Sequence, residues 1–311
     1  MGAVTEITAG RENGARRPRG YDLDYNPHSK TRVLLGYVEE ILEEYEDHLP
    51  LTVRQIFYRL VGKYEYPKDD NAYERLVEAL VRARRAKMIP FDAIRDDGIV
   101  TIENTYYGGI EDFHDETGRR ATRYRRDRQE GQHRYIELWC EAGGMIQQLD
   151  RVARLASIPV YSCGGFGSLT GNYSIARRAL DRNVPTVVLH VGDFDPSGVS
   201  IFESMASDAA AFVEADRVIQ TQSLTAVRVA LTVEQIEAYE LPTAPPKKSD
   251  LRSKNWSGGT CQLEALAPDV LAKIIEDAIV ERLDMDAFAE VLKREEFDRA
   301  ELLALPPGAG A

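Results

Sequence analysis

The chain has 311 residues, 43% hydrophobic and 29% charged, the composition of a soluble globular protein long enough for two domains. Its apolar runs fall short of the roughly 20 residues that cross a bilayer, and no secretory pattern opens it, so a cytoplasmic protein with no membrane partner is expected. A net charge of −12 argues against a protein that coats nucleic acid without selectivity, and three cysteines with no CxxC pair indicate neither a disulfide framework nor a zinc ribbon.

Residues 1–30 mix Gly, Pro, Arg and polar groups without apolar periodicity and read as a flexible arm. From Arg32 to Tyr45 the apolar residues Val33, Leu34, Val38, Ile41 and Leu42 have helical spacing. After Pro50, Thr52 is a candidate N-cap for a helix carrying Ile56, Phe57, Leu60 and Val61. A third helix is predicted from Asn71 to Lys87, with Leu76, Leu80 and Val81 inward and Arg82, Arg84, Arg85 and Lys87 on its surface. Three helices followed by a strand at Gly98–Ile102 suit a winged-helix-like domain over residues 31–102, a fold that reads duplex DNA. The same pattern also suits a helical packing domain with no ligand.

Residues 103–134 form a basic connecting segment. Up to residue 136 the chain carries 23 Lys+Arg against 25 Asp+Glu, whereas residues 137–311 carry 16 against 26. Arg119, Arg120, Arg123, Arg125, Arg126, Arg128 and Arg134 crowd this segment around Tyr124. Such a local patch can neutralise phosphates whatever the distant surface does. A solvated linker has the same composition.

The pattern then changes. Strands at Tyr135–Cys140, Pro159–Ser162, Thr186–Val191 and Val227–Leu231 alternate with helices at Gly144–Leu155, Ile175–Arg182 and Val199–Phe212. Alternation of this kind builds a mostly parallel α/β sheet covered by helices, here over residues 135–240. Residues 241–311 read as a long loop, holding Lys247, Lys248, Arg252 and Lys254, followed by helices at Pro268–Leu283 and Met285–Leu303.

Two of the strands end in acid. Val187–Val191 runs into Gly192-Asp-Phe-Asp-Pro-Ser-Gly198, and Tyr135–Cys140 runs into Glu141 about fifty residues earlier. Ligands of parallel sheets gather at strand ends. Oxygen donors suit Mg²⁺, which takes one or two protein carboxylates and keeps room for phosphate oxygens and water. An isolated Asp-x-Asp is also a common solvent-facing turn. The glycine-rich run Ser162–Gly171 lacks the Lys-Ser/Thr ending of a P-loop. His190, inside an apolar strand, reads as a core histidine, and Cys140 has no evident base beside it.

Glu141 before a helix, together with Asp193-x-Asp195-Pro-x-Gly198, resembles the Toprim domain, in the form found in the A subunit of type IIB topoisomerases and their meiotic double-strand-break relatives. In that family a winged-helix domain comes first, and its catalytic tyrosine lies in a segment similar to Thr52-Val-Arg-Gln-Ile-Phe-Tyr-Arg-Leu60. The resemblance covers residues 32–230 and implies Tyr58 as nucleophile, Arg54 as its phosphate-binding or activating neighbour, and Glu141, Asp193 and Asp195 as the Mg²⁺ site, Glu141 also serving catalysis. It further implies a homodimer with the tyrosine of one subunit near the metal of the other, duplex DNA as substrate, and a separate ATPase subunit. Ala142 stands where many members have lysine, and Ser197 where a tyrosine is common.

The residues agree with those roles. Tyr58 follows Arg54 by one helical turn, so both can face one substrate. A phenol of pKa about 10 is a weak nucleophile unless a guanidinium stabilises phenolate and a metal-bound phosphate takes up transition-state charge. The expected reaction is Mg²⁺-dependent DNA strand cleavage through a tyrosine–DNA phosphodiester. The alternatives are a Toprim nuclease that attacks with metal-activated water, and a non-catalytic DNA-binding or assembly protein. DNA contacts are expected at Arg82, Arg84, Arg85, Arg119, Arg120, Arg123, Arg125 and Arg126.

Overall fold

In the computed structural model, which describes residues 21–95, 106–162, 169–246, 252–253 and 256–304, three helices precede the main sheet. Helix α1 (Ser29–Glu44) buries Leu35, Val38, Ile41 and Leu42 at helical spacing. Helix α2 (Val53–Tyr64) begins with a capping box: the Gln55 amide donates to Thr52 Oγ1 at 3.1 Å, and the Thr52 amide donates to Gln55 Oε1 at 2.9 Å. Helix α3 (Asp70–Arg85) turns Ala72, Leu76, Ala79, Leu80 and Ala83 inward. Val81, expected inward, is exposed, because it lies about 100° around the helix from Leu80 and outside that stripe. The strand expected at residues 98–102 lies outside the described residues. A short strand β1 (Leu51–Thr52) pairs in parallel with β2 (Ile94–Arg95).

Helix α4 (Ile110–Thr122) occupies much of the segment read as a connector. No residue of it is buried, so it has no apolar period to betray it; Glu116 pairs with Arg119 and Arg120 along its surface.

The main sheet has the order β4-β3-β5-β6 and is parallel throughout, as the alternation predicts. Its strands are β3 (Tyr135–Cys140), β4 (Val160–Ser162), β5 (Thr186–Val191) and β6 (Leu224–Ala230). All six residues of β5 are buried, as a central strand covered on both faces requires. Trp139 and Val188 face α6 (Leu169–Leu180) and α7 (Pro196–Asp216) in one core. Ile136, Leu138, Leu189 and Val191 face the opposite way, into a core shared with α1–α3, α5 (Ile146–Ala153) and α9 (Pro268–Val280). Strand alternation thus sorts neighbours into two layers. Helix α8 (Val233–Ala238) follows β6, and α10 (Met285–Ala304) ends the described chain. Among the described residues no helix is long and apolar enough to cross a membrane.

Buried polar contacts tie the helical part to the sheet. Gln55 Nε2 donates to Gln148 Oε1 at 2.5 Å, and Gln148 Nε2 donates to the Pro268 carbonyl at 3.0 Å, joining α2, α5 and α9. Within the second core, Glu137 of β3 accepts from Arg178 Nη2 at 3.0 Å, Arg182 Nη1 at 3.2 Å and Trp139 Nε1 at 2.9 Å.

Helix α10 is fastened by one buried carboxylate. Glu295 accepts from the Arg126 amide at 3.1 Å, Arg128 Nη2 at 2.7 Å and Arg299 Nη2 at 2.6 Å. The Arg128 hydrogen bond, helped by the Arg126 amide and the Arg299 charge, holds this carboxyl below its ordinary range. A depressed carboxyl stabilises the fold above its unfolded pKa and ceases to do so as pH falls through its folded pKa. The stability difference between the unaltered chain and Glu295→Gln is therefore expected to be greatest near neutrality and to shrink on acidification. Urea unfolding across that range measures it; a difference independent of pH defeats the assignment.

Candidate functional site

The carboxyl ends of the two central strands carry the acidic residues. The Glu141 amide donates to the Val191 carbonyl at 3.2 Å and the Gly192 amide to Ala230 at 2.8 Å, so the ladder continues just past β3 and β5. Asp195 then caps α7: its Oδ1 accepts from the Gly198 amide at 2.7 Å, with Pro196 in the first turn, where its missing N–H costs nothing. Asp193 and Asp195, two residues apart, would line one face of an extended strand, and the turn into α7 at Asp195 keeps both at the end of β5.

Glu141 leans across both glycines of the aspartate motif. A Cβ on Gly198 would lie 2.7 Å from Glu141 Oε2, and one on Gly192 would lie 3.1 Å from the same atom. The glycines are where backbone and carboxylate come closest. Glu141 Oε2 is buried and has no hydrogen-bond partner. Burial, then the Asp193 and Asp195 charges, push the Glu141 carboxyl up; burial also raises Asp193.

Arg228 of β6 lies beneath this acid. Its Nη2 donates to the Gly192 carbonyl at 2.9 Å and also to the Asp193 carbonyl, and its Nε donates to Leu231 at 2.9 Å. Its Nη1 lies 3.4 Å from His190 Nδ1. His190 is the core residue its sequence context suggested: it is buried and stacked on Phe202 at 4.0 Å, and desolvation lowers its pKa to about 3, so it is neutral. A guanidinium within a strand of the sheet is a fixed positive charge behind the carboxylates.

Among the described residues no three His, Cys, Asp or Glu side chains converge tightly enough to hold a metal ion together. One oxygen of Asp193 is committed to the Leu263 amide and one of Asp195 to its cap. The donors still suit a hard cation. They are carboxylate oxygens at the adjoining ends of β3 and β5, and the orphaned Glu141 Oε2 is an acceptor without a donor, which a cation satisfies.

Tyr58 stands on α2 beside this end of the sheet. It is 7% exposed, and its hydroxyl donates to Gln262 Oε1 at 2.8 Å. Burial foremost, then the neighbouring Cys261 and Glu264, raise its pKa, Asp193 adds to the effect and Arg54 opposes it. Gln262 belongs to a strap that folds back over the aspartate turn. Phe194 and Cys261 exchange backbone hydrogen bonds of 2.8 and 3.0 Å, and Trp256 packs 4.8 Å from the Phe194 ring. The next residue, Leu263, donates its amide to Asp193 Oδ1 at 2.9 Å. Adjacent strap residues therefore hold the phenol and an acidic side chain.

A cavity of about 440 Å³ opens next to Tyr58, lined by Arg54, Lys68, Tyr73, Thr260 and Gln262 among others. Arg54 lies over the Tyr73 ring at 5.8 Å and Lys68 over the Tyr58 ring at 5.7 Å. Desolvation lowers the Lys68 pKa, as expected where an ammonium sits against an aromatic wall.

The arginines expected to meet DNA are placed differently from one another. Arg119 and Arg120 pair with Glu116 at 2.9 and 3.4 Å, and Arg123 lies 4.0 Å from the same carboxylate. Arg125 donates to the Arg154 carbonyl, and Arg126 pairs with Asp298 at 3.2 Å and Glu130 at 3.5 Å. Much of the basic density is thus answered within the fold. On α3, Arg82 pairs with Glu78 at 3.2 Å and lies over the Tyr25 ring, while Arg84 donates to the Phe91 and Ile94 carbonyls. Arg85 is partly buried.

The structure gathers Tyr58, Arg54, Glu141, Asp193 and Asp195 around one end of the sheet, and leaves Arg119–Arg126 with α4 and α10. Sequence reasoning missed Gln262, the Leu263 amide, Lys68 and Arg228. Only Arg228 left a signal, as a charge inside the apolar run Val227–Leu231. No family model matches the chain, and neither does any curated protein.

Proposed function

We propose that this chain is a Mg²⁺-dependent DNA strand-cleaving enzyme that attacks with Tyr58, with a Toprim-like acidic domain and a winged-helix-like domain as in topoisomerase A subunits. The observation that carries the reading is the single strap joining nucleophile to acid: Gln262 accepts from the Tyr58 hydroxyl and Leu263 donates to Asp193. A buried phenol takes a hydrogen-bond partner in either role; the link to catalysis is that the next residue of the same strap holds Asp193. Glu141, Asp193 and Asp195 would hold the cation, and the cation supplies charge stabilisation for a phosphoryl transfer. Arg54 and Lys68, lining the cavity beside the phenol, neutralise the incoming phosphodiester.

In the reaction the Tyr58 oxygen forms a bond to phosphorus while the bond from phosphorus to one sugar oxygen breaks. The phenolic proton is lost and the departing sugar oxygen gains one, leaving a phosphotyrosine and a free hydroxyl. The raised phenol pKa means that the resting group is protonated, and Arg54, which opposes that rise, would favour ionisation as the phosphate arrives; Glu141, Asp193 and Asp195 would hold a cation that supplies charge stabilisation there. Homodimerisation and a separate ATPase subunit belong to this proposal as partners that couple cleavage to strand passage.

The same buried, hydrogen-bonded phenol favours one second reading, a nuclease in which metal-activated water attacks and Tyr58 is structural. Incubation with supercoiled DNA and Mg²⁺, denaturation, and mass analysis of the cleaved end decides. DNA attached to the peptide bearing Tyr58 supports tyrosine attack; free phosphate ends support water. Cleavage that survives Asp193→Asn with Asp195→Asn defeats both.

A further inference from the structure

We propose that the cavity between α1 and α3 is a second binding site, separate from the one beside Tyr58, and that it takes a free nucleotide. None of its lining residues belongs to the cleavage site described above.

The two cavities lie on opposite sides of α3. Tyr73 lines the one beside Tyr58 and Arg75 lines the other, and two residues of α-helix turn a side chain by about 200°. From Arg75 the second cavity follows one stripe of the helix through Glu78 and Ala79 to Arg82. Just ahead of α3 the chain divides in the same way, Tyr66 lining this cavity and Lys68 the other. The space measures about 350 Å³, within the range of about 300–1,000 Å³ of small-molecule sites.

Two half-buried phenols give the cavity surfaces on which a base can stack. The Tyr66 hydroxyl donates to the Ala72 carbonyl at 3.0 Å and its ring meets Phe57 edge-on at 6.1 Å, while Tyr25 lies beneath the Arg82 guanidinium at 5.7 Å. Rings already held in place lose little freedom when a ligand arrives. Leu34 and Ala79 add apolar lining.

The remaining groups suit a phosphate. Three cations, Lys30, Arg75 and Arg82, line the cavity with one carboxylate, Glu78. Glu78 meets Arg82 at 3.2 Å with 69% of its side chain exposed, a surface pair weak enough for a phosphate to replace. Among the described residues neither Lys30 nor Arg75 has an ion pair, so in a chain of net charge −12 this is a local excess of positive charge. Lys30 and Thr31 also stand in the first turn of α1, which holds no acidic residue and no side-chain cap, and the positive end of that helix adds to the cations. A phosphate at the cations with its base against the two rings uses the whole lining; neither half of the ligand does so alone. Because the cavity turns away from Tyr58 across α3, its occupant is a free nucleotide rather than the strand that Tyr58 would attack.

The test titrates the full chain calorimetrically with the four nucleoside monophosphates, their nucleosides and inorganic phosphate. At least one monophosphate is expected to bind about tenfold or more tightly than its nucleoside or phosphate alone, each part lacking one set of contacts of that worth. Arg75→Ala and Lys30→Ala, both at exposed positions where the fold does not need them, are each expected to weaken it by about tenfold. Phosphate binding as tightly as every nucleotide, affinity indifferent to both substitutions, or no binding by any of the four overturns the proposal. An azido derivative of the tightest nucleotide, irradiated on the chain and followed by peptide mass mapping, gives the position. Attachment is expected on the peptides carrying Tyr25 or Tyr66; attachment at Tyr58 or Tyr73 puts the nucleotide in the cleavage cavity and overturns the proposal. A single-stranded oligonucleotide that displaces the probe better, nucleotide for nucleotide, than the free monophosphate shows a strand-binding groove and overturns it as well. Loss of DNA cleavage in Tyr58→Phe with nucleotide binding intact bears on the phenol alone and leaves this site standing.

Discussion

Tyr58→Phe is expected to abolish covalent attachment to DNA while leaving the fold intact. Phenylalanine keeps the ring that packs edge-on against Phe57 at 5.5 Å and beneath Lys68, and removes only the oxygen. The lost interaction is one hydrogen bond, to Gln262. Its removal costs about 1 kcal/mol, or somewhat more for the acceptor left behind. The chemical loss is complete, because no phosphotyrosine can form without the phenolic oxygen. Urea unfolding and the adduct assay on one preparation separate the two effects. Adduct persisting at full strength shows another nucleophile and ends the assignment; a variant that does not fold shows a structural role larger than the geometry implies.

The second large effect concerns stability. Glu137→Ala is expected to destabilise the protein by about 3 kcal/mol, the scale for breaking a buried ion pair by removing one partner. The Glu137 side chain is 1% exposed, while Arg178 and Arg182 retain 25% and 19%. Water reaches the guanidinium groups in part, which keeps the figure at the lower end of that range. Trp139 Nε1 loses its acceptor as well. Each arginine also stacks on an aromatic ring, Arg178 on Tyr161 at 4.0 Å and Arg182 on Tyr135 at 3.6 Å, and those contacts survive. Chemical denaturation measures the difference. A loss below about 1 kcal/mol, the scale of an exposed pair, rejects the network as a stabilising element of the sheet.

The sheet was legible because its buried strands are mostly apolar, with Glu137 and His190 the buried exceptions: β3 and β5 lie where Tyr135–Cys140 and Thr186–Val191 predict them. The Thr52 cap was legible because hydroxyl and amide chemistry at a helix start is local. Thr232 and Gln235 repeat the same signature at α8, which the sequence reading passed over because the helix is six residues long and buries none of them. Helix α4 was hidden for a related reason, being amphipathic only in its charges. In the site, Glu141, Asp193 and Asp195 could be read because strand ends concentrate ligands. Gln262 and Leu263 could not: they lie about seventy residues beyond Asp193, in a segment of loop composition, and act through a side-chain amide and a backbone N–H common to almost any sequence. The partners of the basic segment were only partly legible: Glu116, which meets Arg119, Arg120 and Arg123, is close in sequence, whereas Asp298 and Glu295, which meet Arg126 and Arg128, come from the far end of the chain.

The strap imposes a thermodynamic symmetry on the site. Leu263 and Gln262 share a peptide bond, so Asp193 and Tyr58 are two ends of one lever. A cation that draws Asp193 away from the Leu263 amide shifts Gln262 and changes the free energy of holding the phenol. By reciprocity, a strand that draws the phenol from Gln262 alters cation affinity by the same factor. On the proposed function, cation and nucleic acid would be coupled ligands of one short segment, with the sign of their coupling set by whether the strap moves toward or away from the sheet.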